Sequence, residues 1–236
     1  NTWRTIAGNQ YYYQNHQMQK SDWIHDGTGW FYLDDQGGAV KGWMVGPEGS
    51  YYLDEADGRM ATGWKELGGS WYYLKDSGLM ATGWQQADGA WYYLDQSGRM
   101  ETGWQEINGS RYHLADSGAM SVGWKELDGA WYYLEPSGAM AVGWKELDGA
   151  WYYFLESGAM ATGWQEIGGV RYYMEASGKM AANTVLEDNG VRYQADGNGA
   201  CTPVVEEEVS LVPPGAENGQ DLPGPEGSSL TEPFPG

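Results

Sequence analysis

A Gly-Trp pair, or its trace, returns every twenty residues through most of this chain. With the tryptophan as ruler, the marks fall at Trp3, Trp23, Trp43, Trp64, Trp84, Trp104, Trp124, Trp144 and Trp164, with one inserted residue near positions 54–57. A fixed period of this size means that each copy is a small unit that cannot bury its apolar face alone and must stack on its neighbours. No stretch keeps helical periodicity over a useful length, and glycine interrupts every candidate helix. The predicted fold is therefore all-β, a solenoid of tandem hairpins of about twenty residues each.

The copy from Gly123 to Met140, GWKELDGAWYYLEPSGAM, shows why each unit reads as a hairpin. Two apolar runs flank Asp128-Gly129, and Asp-Gly supplies the two positive φ angles of a two-residue type I′ turn. That turn sets Leu127 opposite Ala130, Glu126 opposite Trp131 and Trp124 opposite Tyr133. Alternation then puts Trp124, Trp131 and Tyr133 on one face and Leu127, Tyr132 and Leu134 on the other. The first face is aromatic and the second is the expected core. A lone hairpin is marginal in water, so neighbours must cover it.

Trp 14 and Tyr 18 against Phe 3 is an unusual aromatic balance. Trp and Tyr join an apolar body to a polar handle and suit half-exposed binding surfaces better than an ordinary core. The formal charge of −20 argues against nucleic acid and anionic membranes as partners and favours a cationic ligand. No apolar run is long enough for membrane insertion. The single Cys201 excludes an internal disulfide or a cysteine metal cluster. It fits either a reducing compartment or a secreted protein that avoids thiols. The chain opens at Asn1 without Met or signal peptide, as a mature product or an excised fragment would, so a preceding partner domain stays open.

The ends differ from the middle, as capping units should. Gln10 stands where other copies carry Trp, Asn183-Thr184 replaces Gly-Trp, and Gly190-Val191-Arg192-Tyr193 is the last trace of a hairpin. The repeat domain is expected over 1–199, with caps near 1–20 and 183–199. Residues 200–236 are acidic, rich in Pro and Gly and free of Lys and Arg, which reads as a disordered tail or linker.

Gly-Trp, then Trp-Tyr-Tyr-Leu seven residues later, then Ser-Gly-x-Met, resembles the choline-binding repeat of Gram-positive wall hydrolases and surface proteins, over roughly 1–199. The resemblance implies a left-handed superhelix with about three hairpins per turn. It further implies that choline or phosphocholine of wall teichoic or lipoteichoic acid sits between consecutive hairpins, against two Trp and a Tyr from neighbouring repeats. It places the protein outside the cell, on the wall or surface. Related repeats of glucan-binding domains and toxins bind carbohydrate, which gives the alternative reading. A purely structural spacer is the third.

A quaternary ammonium has no hydrogen-bond donor and a diffuse charge, so aromatic faces are its natural receptor. At roughly 1 kcal/mol or a little more per face, three faces give about 4 kcal/mol, which is only millimolar affinity. A series of such sites on a polymer that repeats the ligand gains about a hundredfold or more by effective concentration. Repetition is then the binding mechanism as well as the fold.

Five copies carry the full trio: Trp23, Trp30 and Tyr32; Trp64, Trp71 and Tyr73; Trp84, Trp91 and Tyr93; Trp124, Trp131 and Tyr133; Trp144, Trp151 and Tyr153. These residues, with Trp43, Trp104 and Trp164, are the expected choline contacts, each cage borrowing one member from the adjacent repeat. Tyr72, Tyr92, Tyr132 and Tyr152 are assigned to the core, as are Met60, Met80, Met100, Met120, Met140, Met160 and Met180. Ser50, Arg111 and Arg171 replace the second Trp in the copies of Trp43, Trp104 and Trp164. A guanidinium there repels choline or fills the cage itself, so weak or absent sites are expected. The three deviants lie three repeats apart, and Trp-Gln-Glu-Ile recurs at Trp104 and Trp164. Duplication of a three-repeat block accounts for this; so does one side of the rod reserved for a partner domain, a second chain or an anionic sugar.

Catalysis finds little footing. His16, His25 and His113 occupy unrelated repeat positions, with no metal triad or nucleophile–base spacing. Glu66, Glu106, Glu126, Glu146 and Glu166 recur at one place in the hairpin, as solvated surface carboxylates do rather than a glycosidase pair. No cofactor is implied, and any catalytic activity is expected in another domain. The sequence leaves open whether the rod dimerises through its ends.

Overall fold

The structure, a computed structural model, describes residues 1–205. It is all-β. Eight two-stranded antiparallel sheets follow one another, framed by a three-stranded sheet at each end. In the representative repeat, Gly123–Leu127 pairs with Ala130–Leu134 in the predicted register, with Trp124 opposite Tyr133, Glu126 opposite Trp131 and Leu127 opposite Ala130.

Turn chemistry fixes that register. Asp128 and Gly129 take φ of 51° and 77°, the double positive that type I′ demands, and Asp88-Gly89, Asn108-Gly109 and Asp148-Gly149 do the same. Two hairpins are joined differently: Asp22–His25 reaches Trp30–Leu33 through the four residues 26–29, and Gly42–Gly46 reaches Gly49–Leu53 through Pro47-Glu48. Proline cannot adopt positive φ, so Gly49 absorbs the bend at φ 143°.

The core is a ladder with one rung per repeat. Leu33, Leu53, Leu74, Leu94, Leu114, Leu134, Phe154 and Met174 end their strands and are completely buried. In the regular copies each stands opposite the glycine of Gly-Trp, as Leu134 stands opposite Gly123.

After each hairpin a tight turn brings the chain back to the preceding repeat. Gly138 N–H donates to Glu135 C=O at 2.7 Å, and Met140 N–H donates to the carbonyl of Arg111, one repeat earlier, at 2.7 Å. The same bond joins Met100 to Trp71 and Met120 to Trp91. These bonds tie otherwise separate two-stranded sheets into a solenoid. The extra residue lengthens one such turn: Asp54 N–H reaches Arg59 C=O, where the next copy closes from Lys75 to Leu79.

Both caps add a strand. At the start Gln17–Met18 pairs with Asn9–Gln14, and at the end Cys201–Pro203 pairs with Val191–Ala195. Cys201 is buried, and burial raises its thiol pKa. Regular structure therefore runs past the expected boundary at 199, because Cys201 completes the edge of the last sheet. The expected tail lies, from residue 206 on, outside the described residues.

Candidate functional site

Between consecutive hairpins the structure opens a row of similar clefts. One is lined by Trp23, Trp30, Tyr51 and Met60, with Asp76 and Ser77 at its rim. The next is lined by Trp64, Trp71, Tyr92 and Met100, with Asp88, Asp116 and Ser117. A third takes Trp84, Trp91, Tyr112, Met120, Pro136 and Ser137, and a fourth Trp144, Trp151, Tyr172, Met180, Gly197 and Asn198. Their volumes lie between about 340 and 380 Å³. Trp124, Trp131 and Tyr152 repeat the arrangement, with Trp124 edge-on to Tyr152 at 5.0 Å and to Trp131 at 6.3 Å.

Each cleft thus draws on three repeats. The first supplies both tryptophans, the second a tyrosine and a methionine, and the third a turn. The second tryptophans are the exposed walls: Trp30, Trp71, Trp91, Trp131 and Trp151 keep 42–47% of their surface. In the five complete copies the Gly-Trp tryptophans are half-buried and fixed between two tyrosines. Trp64, for instance, lies 5.1 Å from Tyr73 in its own hairpin and 4.6 Å from Tyr92 in the next.

Each cleft borrows its tyrosine from the adjacent repeat. Tyr32, Tyr73, Tyr93 and Tyr153 do not line the clefts of their own tryptophans; Tyr51, Tyr92, Tyr112 and Tyr172 do. Tyr133 packs against the buried group of Ala141, Tyr152 and Phe154, the last at a ring distance of 6.3 Å. Alternation was right within each hairpin, but stacking sets the aromatic face of one hairpin against the opposite face of the next. The residue that a single hairpin assigns to the core is therefore the wall of its neighbour's cleft. Tyr92 and its equivalents serve both purposes. The methionines likewise line clefts as well as filling space.

The three departing copies behave differently from one another. Ser50 leaves Trp43 42% exposed, with Tyr72 edge-on at 5.0 Å. Arg111 lays its guanidinium over Trp104 at 5.0 Å. Arg171 lies over Trp164 at 4.4 Å and over Tyr193 at 4.5 Å, donates to the Tyr193 hydroxyl at 2.6 Å and pairs with Asp188. His113, in the second-tyrosine position, is edge-on to Trp104 at 5.2 Å and within 3.0 Å of the Ser121 hydroxyl. Burial, assisted by Lys125, lowers its pKa.

Electrostatics around the clefts is mostly acidic. Asp76 and the pair Asp88 and Asp116 contribute carboxylates to two of them. Burial, then Glu48, raises the pKa of the Tyr51 phenol, which stays neutral as a wall.

The choline-binding repeat model matches residues 61–102, 101–142 and 141–185, and a putative cell wall binding repeat matches 21–39. The chain belongs to the choline-binding repeat family. CbpJ of Streptococcus pneumoniae superposes with a TM-score of 0.70 at 31% identity, over 85% of this chain and 87% of that one. The choline-binding domain of CbpL from the same organism gives 0.57 at 34% identity, over 80% of this chain and all of the domain. The modular pneumococcal autolysin LytC gives 0.63 at 30% identity, over 86% of this chain but 46% of its own. A search of curated protein sequences returns no match.

Proposed function

We propose that this chain is a non-covalent wall-attachment module that binds choline residues of teichoic or lipoteichoic acid at several aromatic cages at once. The observation that carries the reading is the recurrence of two tryptophans, a tyrosine and a methionine around each cleft of residues 23–198. Such a cage offers apolar faces of negative quadrupole and no obligatory hydrogen-bond partner, which matches a trimethylammonium group. Carboxylates at the rim add long-range attraction.

Association with the cell wall or surface follows from the family. Secretion, and the absence of catalysis by this chain, belong to the proposal. Each cage alone gives millimolar affinity by the count of three faces. Useful retention therefore requires a polymer that presents choline repeatedly, where effective concentration adds about two orders of magnitude. The test is chromatography of the full chain on a tertiary-amine resin, with elution by free choline. Passage through that resin combined with retention on dextran would replace this reading with a carbohydrate-binding one.

A further inference from the structure

We propose that the guanidinium groups of Arg111 and Arg171 are the resident cations of their own cages, filling in cis the place that a ligand ammonium takes in the five complete ones. The inference rests on reading those five as cation sites, and it sets how many sites the rod offers and where.

Position comes first. Arg111 and Arg171 stand opposite Glu106 and Glu166, the same register that sets Trp131 opposite Glu126. In the complete cages of Trp64, Trp124 and Trp144 the two tryptophan rings stand 6.3–6.5 Å apart, with open space between them and the next repeat's tyrosine. The arginine heads approach the first tryptophan more closely, at 5.0 Å for Arg111 and 4.4 Å for Arg171. They have moved inward from the wall position onto the ring face. Arg171 touches two cage walls at once, Trp164 and Tyr193, as a bound ammonium would.

The Ser50 copy supplies the contrast. With only a serine in that position Trp43 stays exposed, whereas the arginine side chains leave Trp104 and Trp164 half-buried, as the second tryptophan does for Trp64 and Trp124. The two plugs also differ in fastening. Arg171 is held by Asp188 and the Tyr193 hydroxyl, which belong to the C-terminal cap, so it also staples that cap to the last full repeat. Among the described residues no ion pair holds Arg111, which relies on the ring alone. The two closed cages lie three repeats apart, and the complete cages occur as the pairs at Trp64 and Trp84 and at Trp124 and Trp144, with a single one at Trp23.

The experiment is proton–carbon NMR of the full chain carrying labelled arginine, titrated with free choline while indole signals report the complete cages. Arg111 and Arg171 are assigned through Arg111→Gln and Arg171→Gln. Their δ-methylene protons should lie upfield of exposed arginines through the tryptophan ring current and stay there while choline saturates the other cages. Unshifted arginine signals, or signals that move with the same choline midpoint as the indoles, would overturn the proposal. A chain whose indoles ignore choline while both arginines remain shifted would sink the proposed function and leave the plugs standing. Calorimetry on Arg111→Trp gives a second reading: one added choline site per molecule is expected, and an unchanged count in a folded variant contradicts occlusion.

Discussion

Replacing Gly118 by alanine probes the joint between repeats. Gly118 has φ 82°, and a Cβ there would lie 2.2 Å from the Met100 sulfur, which itself lines the cage of Trp64, Trp71 and Tyr92. Two costs combine. Left-handed backbone costs an alanine about 1–2 kcal/mol, and forcing a packed methionine aside costs about 1–3 kcal/mol. Gly118→Ala should therefore destabilise by about 2–5 kcal/mol. Gly109→Ala is the control, since Gly109 has φ 78° with nothing within 4 Å of its would-be Cβ. It should show only the backbone cost of about 1–2 kcal/mol. Urea denaturation of both variants gives the difference. Adding Met100→Ala to Gly118→Ala removes the clash, so the double variant should be less destabilised than the two single effects combined. Choline titration followed at Trp71 should also weaken in Gly118→Ala and not in Gly109→Ala. Equal destabilisation of Gly118→Ala and Gly109→Ala, or strict additivity with Met100→Ala, would refute the view that methionine–glycine contacts lock each repeat to the next.

Further consequences follow from individual contacts. Truncating one exposed wall, Trp91→Ala, should remove one cage of the series, so calorimetry should count one choline fewer while thermal stability changes little. Tyr92→Phe should leave choline affinity at Trp64 within about twofold, because the ring face and not the hydroxyl is the cage wall; Tyr92→Ala should abolish that site. Around Asp26, burial works to raise the pKa, but donors from Thr28, Gly29 and the Trp3 indole outweigh it and hold the carboxyl well below its ordinary range. Its contribution is therefore complete above the ordinary aspartate value of about 3.9 and erodes as pH falls below it. Trp3 fluorescence should report loosening of the N-terminal cap there, and Asp26→Asn should flatten the profile. His113 is held neutral by burial, so its repeat should lose stability as pH falls below about 6.5, and His113→Tyr should remove that dependence.

Much of this was legible in the sequence because turn chemistry is local. Asp128-Gly129 dictates a type I′ turn, the turn dictates register, and register plus alternation identifies Leu134 as core and Trp131 as exposed. The pairing of tyrosines with cages was not legible from one hairpin, because it depends on which face of the next repeat covers Trp124. A signal was available in the repeats themselves: each methionine from Met60 to Met160 stands at a fixed distance before the Ser-Gly of the following copy, and the structure places its sulfur on that glycine. That pairing orients neighbouring hairpins, and with them Tyr152 over Trp124. The arginine copies were recognisable as departures, but only the geometry distinguishes a guanidinium that lies on the tryptophan from one that points to water.

The central claim is that quaternary ammonium binds at cages built from two tryptophans of one repeat and a tyrosine of the next. Isothermal titration of the full chain with choline, beside a variant carrying Trp30→Ala, Trp71→Ala, Trp91→Ala, Trp131→Ala and Trp151→Ala, tests it most directly. The account predicts five sites in the parent chain and none in a variant that keeps its β-sheet circular dichroism. A folded variant that still binds choline at the parent's stoichiometry would contradict it.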